Sequence, residues 1–219
     1  MPRYLIARSS IPVPLTGDAS APPWCNAETA RIDQFPWHFS GRKQGTTCRV
    51  LYDSQSVYVQ FQAEDRHISA RVTELNGPVC TDSCVEFFAT IDPARIPDYF
   101  NFETNCCGQV HLAFGPQREG RKLVPPAAAA TIRIATALPG STKEESPDDD
   151  GWWLAAAIPF RTLGELAGRP VRPERGTVWR GNFYRCGGRT DPQFACWSPV
   201  RTPKPDFHRP EFFGELLFG

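Results

Sequence analysis

The feature that most constrains this chain is a two-residue alternation of apolar side chains in short runs, each closed by Gly, Pro, Asn or Asp. In SVYVQFQAED, Val57, Val59 and Phe61 alternate with Tyr58, Gln60 and Gln62, so the two sets project to opposite faces of a strand. With TCRVLYD ahead of it, the run predicts a hairpin turning near Asp53-Ser54-Gln55. Further strands are expected in CVEFFATI, YFNFETN, GQVHLAF, ATIRIATAL, WWLAAAIP, TVWRGNFYR and EFFGELLF. One short helix is expected over 159–166, where Phe160, Leu163 and Leu166 share a face behind a Pro suited to a first turn. The segment PGSTKEESPDDDG, rich in turn formers and charge, reads as an exposed, mobile hairpin loop. Its aspartates lack the alternating spacing of an EF-hand. Many short strands, one helix and 22 prolines favour an all-β sandwich or jelly roll over a parallel α/β fold, with 1–219 as a single domain. A concave sheet face would be its natural ligand site.

Charge and hydropathy narrow the partners. Lys and Arg number 24 and Asp and Glu number 24, so the excess of positive charge that phosphate backbones require is missing, and nucleic acid is not expected. No apolar run is long enough to span a membrane as a helix. The opening MPRYLIARSS is too short in its apolar part for a secretory signal, so the expectation is a cytoplasmic protein, or a secreted one if a leader was trimmed. On the cytoplasmic expectation, the eight cysteines should be mostly free thiols. Cys80, Cys84, Cys106, Cys107 and Cys186 fall on strands that can adjoin, which invites zinc. None has the Cys-x-x-Cys spacing of a metal knuckle, so no metal site and no cofactor are expected.

The stretch VCTDSCVEFFAT, residues 79–90, poses the functional question. As one strand it places Cys80, Asp82, Cys84, Glu86 and Phe88 on one face, and Glu86 needs water, a ligand or a basic partner there. The surrounding motifs resemble those of the family 9 carbohydrate-binding modules, β-sandwiches related to the DOMON-type sugar- and haem-binding domains. TGDASAPPWCNAE resembles the family's opening turn, Trp and Ala, and VLYDSQSVYVQFQAED its Tyr-Asp hairpin. DSCVEFF resembles its Asp-Ser-x-Val-Glu-x-Phe strand, and YFNFETN and FHRPEFFGELLF its later ligand-face and C-terminal strands.

The resemblance implies a jelly-roll sandwich that binds a sugar or polysaccharide end without chemistry. In the xylanase-linked members two aromatics sandwich a sugar ring while the strand Glu bonds its hydroxyls. Glu86 matches that Glu and Phe207 the second aromatic, whereas the first aromatic falls on Cys80, and Glu103 stands where a basic residue is usual.

Read on their own, Glu86 and Glu103 form a carboxylate pair that either bonds sugar hydroxyls, works as an acid–base pair, or meets internal partners. On NFYRCGG, Asn182 and Tyr184 share a face that can line the cleft, while Arg185 points the other way and either neutralises a buried carboxylate or anchors the following loop. His208, beside Phe207, is a further ligand candidate. The expected ligand-binding set is therefore Glu86, Glu103, Asn182, Tyr184, Phe207 and His208. The competing functions are a carbohydrate-active enzyme using Glu86 and Glu103, and a DOMON-type haem domain. Haem is disfavoured because Met1 is the only methionine and no axial pair stands out.

Overall fold

A computed structural model describes residues 1–94 and 97–219. The strands are β1 (Arg3–Arg8), β2 (Ala30–Ile32), β3 (Thr46–Tyr52), β4 (Ser56–Glu64), β5 (Cys84–Thr90), β6 (Tyr99–Asn105), β7 (Val110–Gly115), β8 (Lys122–Leu123), β9 (Arg133–Thr136), β10 (Gly151–Pro159), β11 (Val178–Cys186), β12 (Ala195–Cys196) and β13 (Gly214–Phe218). They form one curled sheet in the order β8-β7-β6-β5-β11-β13-β1-β3-β4-β10-β9, with β12 on β11 and β2 on β3. The protein is mostly β, as the alternation implies, but the sheet is mixed rather than purely antiparallel. β1 runs parallel to both β13 and β3, and joins the two halves of the sheet.

The strand RYLIAR was not among those expected from sequence, although Tyr4 and Ile6 are buried and alternate with more exposed neighbours. The predicted hairpin is present as β3 and β4. The Asp53 carboxylate closes its turn by accepting the backbone N–H groups of Gln55 and Ser56 at 2.7 and 2.8 Å. Helix α2 (Phe160–Ala167) starts after Pro159, which caps it rather than opening its first turn, and ends at Gly168 in the left-handed conformation. A four-residue helix, α1 (Pro126–Ala129), adds a second. The acidic segment joins the antiparallel pair β9 and β10, and it is tied down: Lys143 bridges to Ala70, and Asp149 accepts the Ile68 N–H at 2.9 Å.

The main core lies between the two halves. Val85, Phe87, Phe100, Phe102 and Phe183 from one half pack in one cluster with Val57, Val59, Phe61, Leu154 and Ala156 from the other. A second cluster lies on the opposite face of the β6-β5-β11 half. There Cys84, Phe88, Tyr99 and Tyr184 meet Trp37, Val79, Val200, Phe207 and Phe213 from the loops. β5 is thus buried along its whole length, on both faces.

Arg185 belongs to the main-core face, 1 % exposed, where it forms a 2.5 Å ion pair with Asp65 and also donates to the Cys186 carbonyl. Trp152 donates to the same Asp65 carboxylate at 3.0 Å. Asp65→Asn leaves the guanidinium without its compensating charge. The expected cost is about 3–5 kcal/mol, seen as a loss of thermal stability by calorimetry; an unchanged melting temperature would show that the pair adds nothing to the fold.

Candidate functional site

Register, rather than spacing along the chain, assembles the site. Glu86 lies opposite Glu103 on β6 and Tyr184 on β11, Glu103 lies opposite His111, and Tyr184 opposite Cys196. Directly paired residues share a face, so His111, Glu103, Glu86, Tyr184 and Cys196 form one row across the sheet. Two residues along, Cys84 pairs with Cys186, flanking Glu86. This is the face away from the main core.

The strand expected in CVEFFATI begins at Cys84, as the sequence implies, and the alternation does not extend back through 79–83. Val79–Thr81 form a single 3-10 turn, and the Asp82 carboxylate beyond it accepts the Arg71 and Val72 backbone N–H groups and the Asn105 amide, each at 3.0 Å. The turn carries Cys80 to the rim, not into the strand. Gly187, at the end of β11, makes this possible: its φ is +90°, and a β-carbon there would lie 1.3 Å from the Asp82 carbonyl oxygen.

Glu86, Glu103, Cys80 and Cys186 line a cavity of about 140 Å³ together with Arg118, Phe194, Pro205, Asp206, Phe207 and His208. Four of the six expected ligand residues therefore meet in one place. The other two lie beneath the roof. Asn182 donates to the Ser198 carbonyl at 2.9 Å, and Tyr184 donates to the Phe207 carbonyl at 3.1 Å. Phe207 is stacked on Tyr184, with ring centroids 4.1 Å apart and 12° between planes. Its aromatic ring thus has one face already covered. His208 shares a 2.9 Å hydrogen bond with Tyr99, and Arg118 pairs with Asp206 at 2.6 Å.

Sequence reasoning missed Arg118 and Phe194. Both sit in irregular segments where no periodicity marks them; an aromatic in the loop beside Phe207 was the available signal for Phe194.

The electrostatics are those of a carboxylate pair without a basic partner. Glu86 accepts the Cys186 thiol at 2.9 Å, and Glu103 accepts the Asn101 amide at 2.8 Å. Among the described residues, no Lys or Arg nitrogen lies within 4 Å of either carboxylate. Burial, and then the neighbouring Glu103, push the Glu86 carboxyl well above its ordinary value. Burial raises Glu103 also, against the lowering influence of His111 and the Asn101 amide. Burial and the two nearby arginines, Arg118 and Arg121, pull His208 down to about 3, so its ring is neutral at pH 7. Burial and the two carboxylates push the Cys80 thiol up to about 12.

A separate open depression of about 670 Å³ lies on the other half of the sheet, lined by Arg31, Asp33, Arg42, Gln62, Glu64 and Trp153 among others.

The sequence profile of carbohydrate-binding family 9 matches residues 24–218. The chain belongs to that family. By structure it is similar to a protein of Bacteroides uniformis ATCC 8492, to which carbohydrate binding has been assigned provisionally, with 26 % identity, a TM-score of 0.87 and 99 % of each chain covered. It is also similar to a family 9 module from Caldicellulosiruptor kristjanssonii in complex with cellotriose, with 15 % identity, a TM-score of 0.64, and 99 % of this chain and 93 % of that one covered. The glucose complex of a family 9 module from the same organism gives 15 % identity and a TM-score of 0.62, covering 100 % of this chain and 96 % of that one. At 15 % identity the likeness is one of fold. No curated protein matches the chain by sequence.

The carboxylate pair makes stability depend on pH in a definite direction. Both groups hold their protons more tightly in the folded chain than in the unfolded one, so the stability they contribute is fully present below the ordinary Glu value of 4.5. It falls as pH rises above that value, until the folded state also releases its protons. Glu86→Gln removes one of the two groups. The variant should lose stability less steeply between pH 5 and 8, and at pH 8 should melt about 2 °C or more above the natural protein, about 1 kcal/mol for a chain of this size. Parallel pH profiles for the two proteins would show that Glu86 ionises without penalty.

Proposed function

We propose that the protein binds the end of a sugar chain, or a single sugar, in the cavity over Glu86 and Glu103, without chemistry. Family membership makes carbohydrate the ligand class, and the cavity supplies the finer reading. At about 140 Å³ it lies below the roughly 300 Å³ at which pockets for drug-sized ligands begin, so one small ring fits and a continuous chain does not. That favours a chain end over a chain interior. The floor offers two carboxyl groups to sugar hydroxyls, the neutral His208 offers a further polar group, and Phe194 and the free side of Phe207 offer apolar surface to ring C–H bonds.

The placement of the carboxyls supports binding over hydrolysis. Glycosidases of the two-carboxylate type hold the scissile bond between their acid and their nucleophile or base. Glu86 and Glu103 instead lie side by side on adjacent strands, both on the cavity floor. The jelly-roll arrangement of two layers and the unity of 1–219 belong to the same reading. Their support is the main hydrophobic core, which joins strands of both halves of the curled sheet.

Titration calorimetry against glucose, cellotriose, and xylo- and galacto-oligosaccharides tests the proposal. Weak binding of at least one ligand is expected, with no release of reducing ends. Glu86→Ala should weaken it by about 1–3 kcal/mol, the cost of leaving a buried sugar hydroxyl without its partner, and Phe194→Ala by about 0.5–1.5 kcal/mol. Silence across the panel from a folded protein would defeat the reading. Product release would favour the enzyme, and affinity lost in Trp153→Ala but kept in Glu86→Ala would move the site to the larger depression.

A further inference from the structure

Spacing along the chain argues against a metal knuckle, but strand register brings together what spacing keeps apart. Cys84 on β5 faces Cys186 on β11, and Glu86 is the next residue along on the same face. One donor atom from each, the two Sγ atoms and a Glu86 carboxylate oxygen, all lie within 4.8 Å of one another, and all three residues are buried. We infer that Cys84, Cys186 and Glu86 form a binding site for a thiophilic divalent cation of the zinc type, on the cavity floor.

Three observations carry this. The first is geometry: zinc bonds of about 2.3 Å to sulfur and about 2.0 Å to oxygen in a tetrahedron set donor atoms about 3.5–3.8 Å apart. The Cys186 Sγ and the Glu86 oxygen, at 2.9 Å, need to part by under about 1 Å to reach that spacing, and all three donors stand on paired strands that hold them in place. The second is donor chemistry. Two thiolates and a carboxylate suit zinc, whereas calcium and magnesium require a shell of oxygens. The third is charge: Glu86 and Glu103 are buried side by side with no cationic side chain within 4 Å among the described residues, and a divalent ion at Glu86 supplies the missing positive charge. On binding, the two thiol protons and any proton on Glu86 leave to solvent as the cation takes their place.

The remaining coordination position turns toward the cavity. Glu86 and Cys186 both line the cavity, whereas the Cys80 thiol at the rim lies outside the cluster of three donors, so water from the cavity completes the tetrahedron. The inference is independent of sugar binding, since its readouts need no sugar, and either can fail without the other.

Reduced, chelator-treated protein titrated with Co²⁺ is the first test. One equivalent should give the visible bands of tetrahedral cobalt together with a near-ultraviolet thiolate charge-transfer band, and one equivalent of Zn²⁺ should abolish both. Cys84→Ser and Cys186→Ser should each lose the charge-transfer band or cut it by half or more, while Cys25→Ser, an exposed thiol elsewhere, should retain it; circular dichroism establishes that each variant is folded. X-ray absorption on the zinc-loaded natural protein keeps the test open if the serine variants do not fold. It should show two sulfurs at about 2.3 Å and the rest of the shell light atoms at about 2.0 Å. An octahedral cobalt spectrum, an all-oxygen or nitrogen zinc shell, a band unchanged in folded Cys84→Ser and Cys186→Ser, or a Cys84–Cys186 disulfide in the native protein would each overturn the site.

Discussion

The burial of β5 on both faces governs much of the rest of the structure. All seven of its residues are buried, as are all seven of β6. A strand in that position hands alternate side chains to two separate layers, and each layer then has to suit what it receives. Val85, Phe87 and Ala89 go to the main core, where apolar partners from the far half of the sheet await them. Cys84, Glu86 and Phe88 go to the other side, where a sheet face would ordinarily meet water. Phe88 keeps that face from staying wet, and loop residues close over it: Trp37, Val200, Phe207 and Phe213. Glu86 is enclosed along with it. A carboxylate sealed this way costs several kcal/mol if it remains charged without a partner, and the Cys186 thiol and a retained proton are what the local structure offers instead.

The same alternation decides which cation is available. Arg185 is one residue from Tyr184 and one from Cys186, both on the Glu86 face, and in sequence it looks like the natural counter-charge. One step along a strand reverses the side, however, and Arg185 is spent on Asp65 beneath Trp152 in the main core. Arg118, the guanidinium that lines the cavity, is engaged by Asp206. Pairing Glu86 to an arginine would have made it structural; leaving it without one keeps it available to a ligand or an ion.

How much of this was legible in the sequence follows from the range over which each signal acts. The strands were legible where alternation is local, as in β3, β4, β6 and β11. The same signal exists in RYLIAR, but over only two buried positions, Tyr4 and Ile6, and nothing local says that β1 is the parallel strand joining the two halves. That the alternation of β5 stops short of 79–83 has another source. Asp82 looks like one more alternating strand residue, yet its carboxylate is committed to the backbone of Arg71 and Val72, ten residues away and invisible to any local pattern. For the site, the residue types on β5, β6 and β11 were legible, because a Glu amid Val and Phe is conspicuous. Their neighbours were not, because Glu86–Glu103 and Cys84–Cys186 are facts of register, and Arg118 and Phe194 lie in loops whose course only the fold sets.

Floor and roof of the cavity differ in how they are held, and that difference bears on what evolution can alter. The floor is carried by three hydrogen-bonded strands, so its carboxyls and thiols keep fixed separations. The roof is a long irregular segment, yet it is pinned from several sides: Trp37 donates to the Thr202 carbonyl at 2.7 Å, Asn182 to Ser198, Tyr184 to Phe207, and Arg118 grips Asp206. Tyr184 and Asn182 therefore shape the cavity at one remove, by fixing the loop that carries Phe207 and His208. Removing the Tyr184 ring would take the stacking surface from under Phe207 and a hydrogen bond from its carbonyl together, so the loop would shift as a unit. Changes at Phe194 or Cys80, by contrast, alter the cavity lining without touching these supports. The rim can change while the floor and its side chains stay where the sheet puts them.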